Sequence, residues 1–145
     1  MSRISVKIDG LDDLMADLKR LGTISEEAVV DTINDIADDT KQFAVDGIKS
    51  GPASGRTYKR GTVTRTASAP GQFPMSDTGQ LMGNIRSIEA SKSRLQAVIG
   101  TDIKYGAHLE FGTSNMEARP WLMPSFRKAT DNVAKELKAK LEGRI

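Results

Sequence analysis

Tyr105-Gly-Ala-His-Leu-Glu-Phe-Gly-Thr-Ser-Asn-Met-Glu-Ala-Arg-Pro-Trp-Leu-Met-Pro124 holds the only Trp and the only His of a chain that is 5% aromatic, together with two of its five Pro. Rigid side chains and turn formers at this density read as a tight connection between a sheet and a final helix. Gly106 and Gly112 allow positive φ or a close backbone approach. Pro120 and Pro124 fix φ and push Arg119 and Met123 toward extended geometry, so no helix is expected to cross either prolyl bond. The reading is a helical turn over Tyr105 to Glu110, a turn at Gly112, an extended run from Ala118 to Met123, then a helix.

Upstream of this stretch, Ile85 to Ala90 and Leu95 to Ile99 are short strand patterns joined by the polar turn Ser91-Lys-Ser-Arg94, which predicts an antiparallel hairpin. Asp77 or Ser76 is a candidate N-cap for a short helix ending near Gly83. Downstream, Phe126, Ala129, Thr130, Val133, Ala134, Leu137 and Leu141 form one stripe at helical spacing, with Pro124 in the first turn. Lys135, Lys138, Lys140 and Arg144 crowd the last turns, where cations suit the helix dipole.

At the other end of the chain, Ile4, Val6 and Ile8 alternate with polar residues as in a half-buried strand. Leu11, Leu14, Leu18 and Leu21 then recur as one face of a short helix closed by Gly22. Thr23 and Glu26 have capping-box spacing, so a long helix is expected from about Ile24 to Lys49. Its apolar side carries Val29, Ile33, Ile36, Thr40, Phe43 and Ala44. Its other side carries Glu27, Asp31, Asp35, Asp38, Asp39 and Asp46, either as a solvated face or as one that meets a partner or a DNA passage.

Between Ser50 and Thr78 the composition shifts to Gly, Pro, Ser and Thr. A segment this long inside a compact domain is functional or unstructured. Val63 between two Thr suggests a brief strand, hence an extended arm or hairpin. Arg56, Tyr58, Lys59, Arg60 and Arg65 make it basic with one aromatic, a weak nucleic-acid signal. Three readings stand: a solvated loop, an arm ordered by a neighbouring subunit, or a DNA contact. Together these elements predict a single α+β domain over residues 1–145. A small antiparallel sheet packs against the long helix and the C-terminal helix, and a basic arm spans about 50–78.

Net charge is only +2, yet the charges are segregated. Residues 1–50 hold six Lys and Arg against eleven Asp and Glu, and residues 51–75 hold four basic residues and no acid. Such separation suits complementary surfaces between copies or toward a partner. With no cysteine, disulfides and thiolate metal sites are unavailable. No apolar run reaches membrane-span length and the N-terminus lacks a signal-peptide core, so the chain is expected to be soluble and made in a cytoplasm.

No catalytic constellation is legible. His108 and Glu110 do not share a helix face, and a single His without Cys completes none of the usual zinc sets. The serines lie in loops without a nucleophile elbow, and the glycines near 51 to 61 lack the Lys and strand of a phosphate loop. The expectation is a protein that is not an enzyme, with no cofactor and no metal, and with His108 a structural residue.

Tyr105-Gly-Ala-His-Leu-Glu-Phe-Gly-Thr followed by Ala118-Arg-Pro-Trp-Leu-Met-Pro resembles the signature of the neck and tail-completion proteins of long-tailed phages. Ala67-Ser-Ala-Pro-Gly-Gln-Phe-Pro-Met-Ser-Asp-Thr-Gly-Gln-Leu81 is a second match in the right order. The resemblance implies a structural virion protein at the neck or upper tail, made in the host bacterial cytoplasm. It would be a homo-oligomer, a six-fold ring around the DNA passage, touching head-closure and tail-tube proteins. On this view Tyr105, Glu110, Phe111, Gly112, Arg119, Pro120 and Trp121 keep the fold, with Arg119 expected to pair with Glu110 or Glu117. Arg56, Tyr58, Lys59, Arg60, Arg65, Asp31, Asp35 and Asp38 are the candidate subunit or partner interface. The alternatives are a nucleic-acid-binding module built on the 56–65 loop, and a tail-terminator or head-closure protein.

Overall fold

The computed structural model describes the backbone of residues 4–8, 26–76 and 79–142, and the side chains within 4–5, 28–76 and 79–135. The elements in order are β1 (Ile4–Ile8), α1 (Glu26–Lys49), β2 (Thr57–Arg60), β3 (Val63–Thr66), α2 (Gln80–Gly83), β4 (Ile85–Ile88), β5 (Ala97–Thr101), α3 (Lys104–Phe111) and α4 (Leu122–Glu142). This is the α+β architecture expected from the pattern. The expected Leu11 to Leu21 helix, the Thr23 cap, Asp77 and the Lys138 to Arg144 cluster lie outside the described residues or side chains.

Alternation decides the sheet. β5 is central in the order β1-β5-β4, antiparallel to both neighbours. Ile4 and Ile85 both stand opposite Thr101, and residues opposite each other share a face. Ala97, Ile99 and Thr101 on β5 are buried against the helices, whereas Ile88 points to the open face. Leu95, expected to open the second strand of the hairpin, is exposed because the pairing begins only at Ala97.

One face of α1 covers this sheet. Val29, Ile33, Ile36, Ala37, Thr40, Ala44 and Ile48 are all buried, at the three-and-four spacing that defines a helical stripe. Thr40 satisfies its hydroxyl within the helix by donating to the Ile36 carbonyl at 2.6 Å. Asn34 clamps the end of β4 to α1: its carbonyl oxygen accepts the Ala90 amide at 2.7 Å and its amide donates back to Ala90. α4 lies against α1, with Ala129 and Val133 buried in the Val29–Ile36 cluster. Lys128 reaches 4.4 Å from the centre of the Phe43 ring. Ala134, placed on the buried stripe by spacing, is exposed.

The second cluster gathers Ile4, Ala44, Ile48, Leu81, Ile85, Ile99, Trp121 and Leu122. Trp121 is fully buried at its centre, which ties the stretch between sheet and last helix to every layer of the fold. Short α2 starts after Gly79, with no side-chain cap bond, so the expected Ser76 cap is not made.

Candidate functional site

The turn that carries the aromatic residues is built around one carboxylate. α4 begins at Leu122, so Pro124 lies in its first turn as expected, but the helix crosses the Met123–Pro124 bond, against the expectation of an extended run to Met123. A helix start leaves its first backbone amides without partners inside the helix. Here Glu110 Oε2 accepts the amides of Trp121 at 2.7 Å and Leu122 at 2.8 Å, and Oε1 accepts that of Met123 at 3.0 Å. The next residue is Pro124, which has no amide to satisfy. Proline therefore sits inside the first turn at no hydrogen-bonding cost, and Glu110 places an acidic group at the positive end of the helix dipole.

The other side chains of the turn lock this arrangement. The Trp121 indole donates to the Gly106 carbonyl at 2.9 Å, and the Ser125 hydroxyl donates to the Trp121 carbonyl. Gly112 closes α3 at φ +74°, where a side chain would also strike the backbone at Met116 and Ala118. Among the described residues, the side-chain partners of Arg119 are backbone carbonyls and not the Glu110 or Glu117 carboxylate. Its Nε donates to the Ser68 carbonyl and its Nη1 to the Glu117 carbonyl, while its own amide donates to Leu109. Glu110 is unavailable to it because that carboxylate already holds three amides. Phe111 does not keep the fold either: it is 73% exposed.

The basic arm is a two-stranded ribbon. Thr57 pairs with Thr66 and Arg60 with Val63, around a two-residue turn in which Gly61 has φ +63°. Tyr58 stands opposite Arg65, so Arg56, Tyr58, Arg60, Val63 and Arg65 share one face while Thr57, Lys59, Thr64 and Thr66 share the other. The ribbon is exposed along nearly its whole length, including Tyr58 and Val63. Its base is fixed. Gly55 and Ala67 extend the ladder, Gly71 donates to Ala118, and Phe73 lies against Gly47 of α1. Residues 57–66 of the 50–78 segment are thus a hairpin fastened at its base, and the described residues of the segment on either side of it have no regular structure.

A groove of about 730 Å³ runs under this ribbon, between it and α3. Tyr58, Met75, Tyr105, Leu109 and Met116 give it apolar walls, and Arg56, Arg65 and Arg119 stand along it. A smaller recess of about 330 Å³ shares Met75, Tyr105 and Leu109 with it and reaches Arg60. Tyr105 is therefore a groove residue, half-way between a fold-keeping and a surface role. Met75, Leu109 and Met116 lie within the Ala67–Leu81 and Tyr105–Pro124 stretches, but nothing there marks them as groove residues, because neither the two methionines in irregular segments nor a single Leu in a short helix has a periodicity to read.

Asp31, Asp35 and Asp38 are all exposed, one to two turns apart on a single face of α1. By helical rise they span ~10 Å and lie ~16–27 Å from the end of α1 at Lys49. The ribbon departs beyond that end, and among the described residues neither of its strands is one of the elements that pack extensively on α1. The structure thus separates the acidic and basic candidates and gathers the basic ones, except Lys59, on one face. Among the described residues no helix is long and apolar enough to cross a membrane, and no three His, Asp or Glu side chains cluster as metal ligands do.

Neither family models, nor curated proteins, nor solved structures give a match to this chain.

Proposed function

We propose that this chain is a structural virion protein of a long-tailed phage, a subunit of a six-fold ring at the head-tail junction. The ring completes the tail or joins it to the head and surrounds the DNA passage, with head-closure and tail-tube proteins as its neighbours. The two sequence motifs that resemble neck and tail-completion proteins supply the family reading. The observation that carries the assembly reading is the exposed ribbon. A two-stranded hairpin is marginal in water, and this one, anchored only at its base, presents Tyr58 and Val63 to solvent, an apolar surface that contact with another molecule would cover.

Closed rings use heterologous contacts, in which one patch on a subunit meets a different patch on the next. A basic ribbon and an acidic helix face at separate places on one chain satisfy that requirement. No chemistry is assigned to the protein, and it acts by shape and by contact.

A nucleic-acid-binding module is the second reading, because a two-stranded ribbon with three arginines on one face has the dimensions of a major-groove reader. Native mass spectrometry and electron microscopy of the purified protein separate the two. Six-fold rings with no DNA affinity support the structural role. A monomer that binds duplex DNA with steep salt dependence overturns it.

A further inference from the structure

The groove beneath the ribbon and the acidic face of α1 have matching form. Arg60 on β2 and Arg56, the residue just before that strand, lie four residues apart, ~13 Å by strand rise, with Arg65 between them on the paired strand. Asp31, Asp35 and Asp38 span ~10 Å along one line of a helix. Three cations over one length match three anions over nearly the same length, and they belong to different elements of one chain. The ribbon cannot reach its own stripe without leaving its anchored base, where Gly71 bonds Ala118 and Arg119 bonds Ser68.

We infer that the groove is the receiving half of a contact with a second copy of this chain, and that the Asp31–Asp38 face of the next subunit's α1 is the inserting half. This deepens the ring reading and rests on it. The arginine face of the ribbon closes over the incoming helix, and the apolar walls at Tyr58, Tyr105 and Met75 take the aliphatic parts of residues flanking the aspartates. Each subunit offers one groove and one stripe, so the contact repeats in one direction and closes as a ring. Charge complementarity sets which surfaces meet and in what register, and the excluded like-charge pairings suppress back-to-back association.

The test uses two charge-reversed full-length proteins, R56E/R60E/R65E and D31K/D35K/D38K. All six positions are exposed, so circular dichroism should still show the parent fold, and a melting curve of each variant separates any loss of stability from loss of assembly. Each variant alone should associate about 100-fold more weakly than the parent, because every groove then faces a stripe of its own sign. An equimolar mixture should regain assembly in even-numbered particles that alternate the two variants by native mass spectrometry. Because the chain has no cysteine, D35C/Y58C adds a second readout. Under mild oxidation the double variant should give a ladder of covalent multimers, whereas D35C and Y58C alone should not.

If the parent forms rings and both reversed variants form them equally well, the groove-to-stripe contact is wrong and the ring reading stands. If both variants fall apart and the mixture does not recover, the two surfaces do not meet each other, and the inference is overturned. A parent that stays monomeric with purified head and tail partners present removes the ring reading itself. Salt-sensitive duplex binding that R56E/R60E/R65E abolishes, with assembly unchanged, would assign the groove to nucleic acid instead.

Discussion

The Glu110 carboxylate holds the Trp121 amide, eleven residues further along the chain, at 2.7 Å and thereby sets where the last helix starts. Three backbone donors converge on that one side chain, and it is 5% exposed. Glu110→Ala leaves all three without a protein partner in a poorly solvated place. The expected loss is about 3 kcal/mol of unfolding free energy in urea titration, since hydrogen bonds to a charged group contribute about 1.5–3 kcal/mol each and their losses overlap. Glu110→Gln keeps an acceptor and should cost less. Equal stability of Glu110→Ala and the parent would contradict the capping role.

That cap also explains what the sequence could and could not reveal. Strand alternation at Ile4 and Ile99 and the stripe from Val29 to Ala44 were readable, because each follows from the period of its own element. The start of α4 was not, since the donor set lies at 121–123 and the acceptor at 110. A rule local to Pro124 therefore placed the boundary too late. The same carboxylate defeats the expected Arg119 pairing. Phe111 was misjudged for a different reason, in that an aromatic residue beside Glu110 and Gly112 shares their neighbourhood without sharing their burial.

Gly106 lies in the middle of α3, where alanine ordinarily favours a helix by up to about 1 kcal/mol. Here the sign should reverse. A Cβ at this position would sit 2.7 Å from Thr101 Cγ2 and 3.2 Å from a Leu81 methyl, and the Gly106 carbonyl carries the Trp121 indole bond. Gly106→Ala should destabilise the protein by about 1–3 kcal/mol, the usual range for overpacking a core. Thr101→Ser removes the nearest methyl, so Gly106→Ala with Thr101→Ser should be less damaged than additivity requires. A double-mutant cycle by chemical denaturation reads the coupling. Strict additivity would show that the crowding lies elsewhere.

Arg119 joins the base of the ribbon to the Trp121 turn through the carbonyls of Ser68 and Glu117. Arg119→Ala should loosen that junction without unfolding the sheet. Hydrogen exchange should rise across residues 55–72, with β4 and β5 unchanged, and the global stability cost should be about 1–2 kcal/mol. Arg119→Lys presents a single ammonium in place of a forked donor set, so it should recover only part of the protection. Uniform exchange across all strands in Arg119→Ala would mean that Arg119 supports the whole core, not the arm.

Phe111 offers the cleanest separation of folding from association. Its ring is 73% exposed at the end of α3, beside the Gly112 turn and away from both buried clusters. Removing an exposed ring changes stability by about 0.5 kcal/mol at most, so Phe111→Ser should melt with the parent protein. An apolar side chain that the fold does not use is available to a partner, and aromatic anchors carry a large share of contact energy where partners meet. On the ring reading proposed above, Phe111→Ser should therefore raise the concentration needed for self-association in sedimentation velocity, while circular dichroism stays unchanged. A variant that melts several degrees lower, or one that associates like the parent, would return Phe111 to an incidental place on the surface.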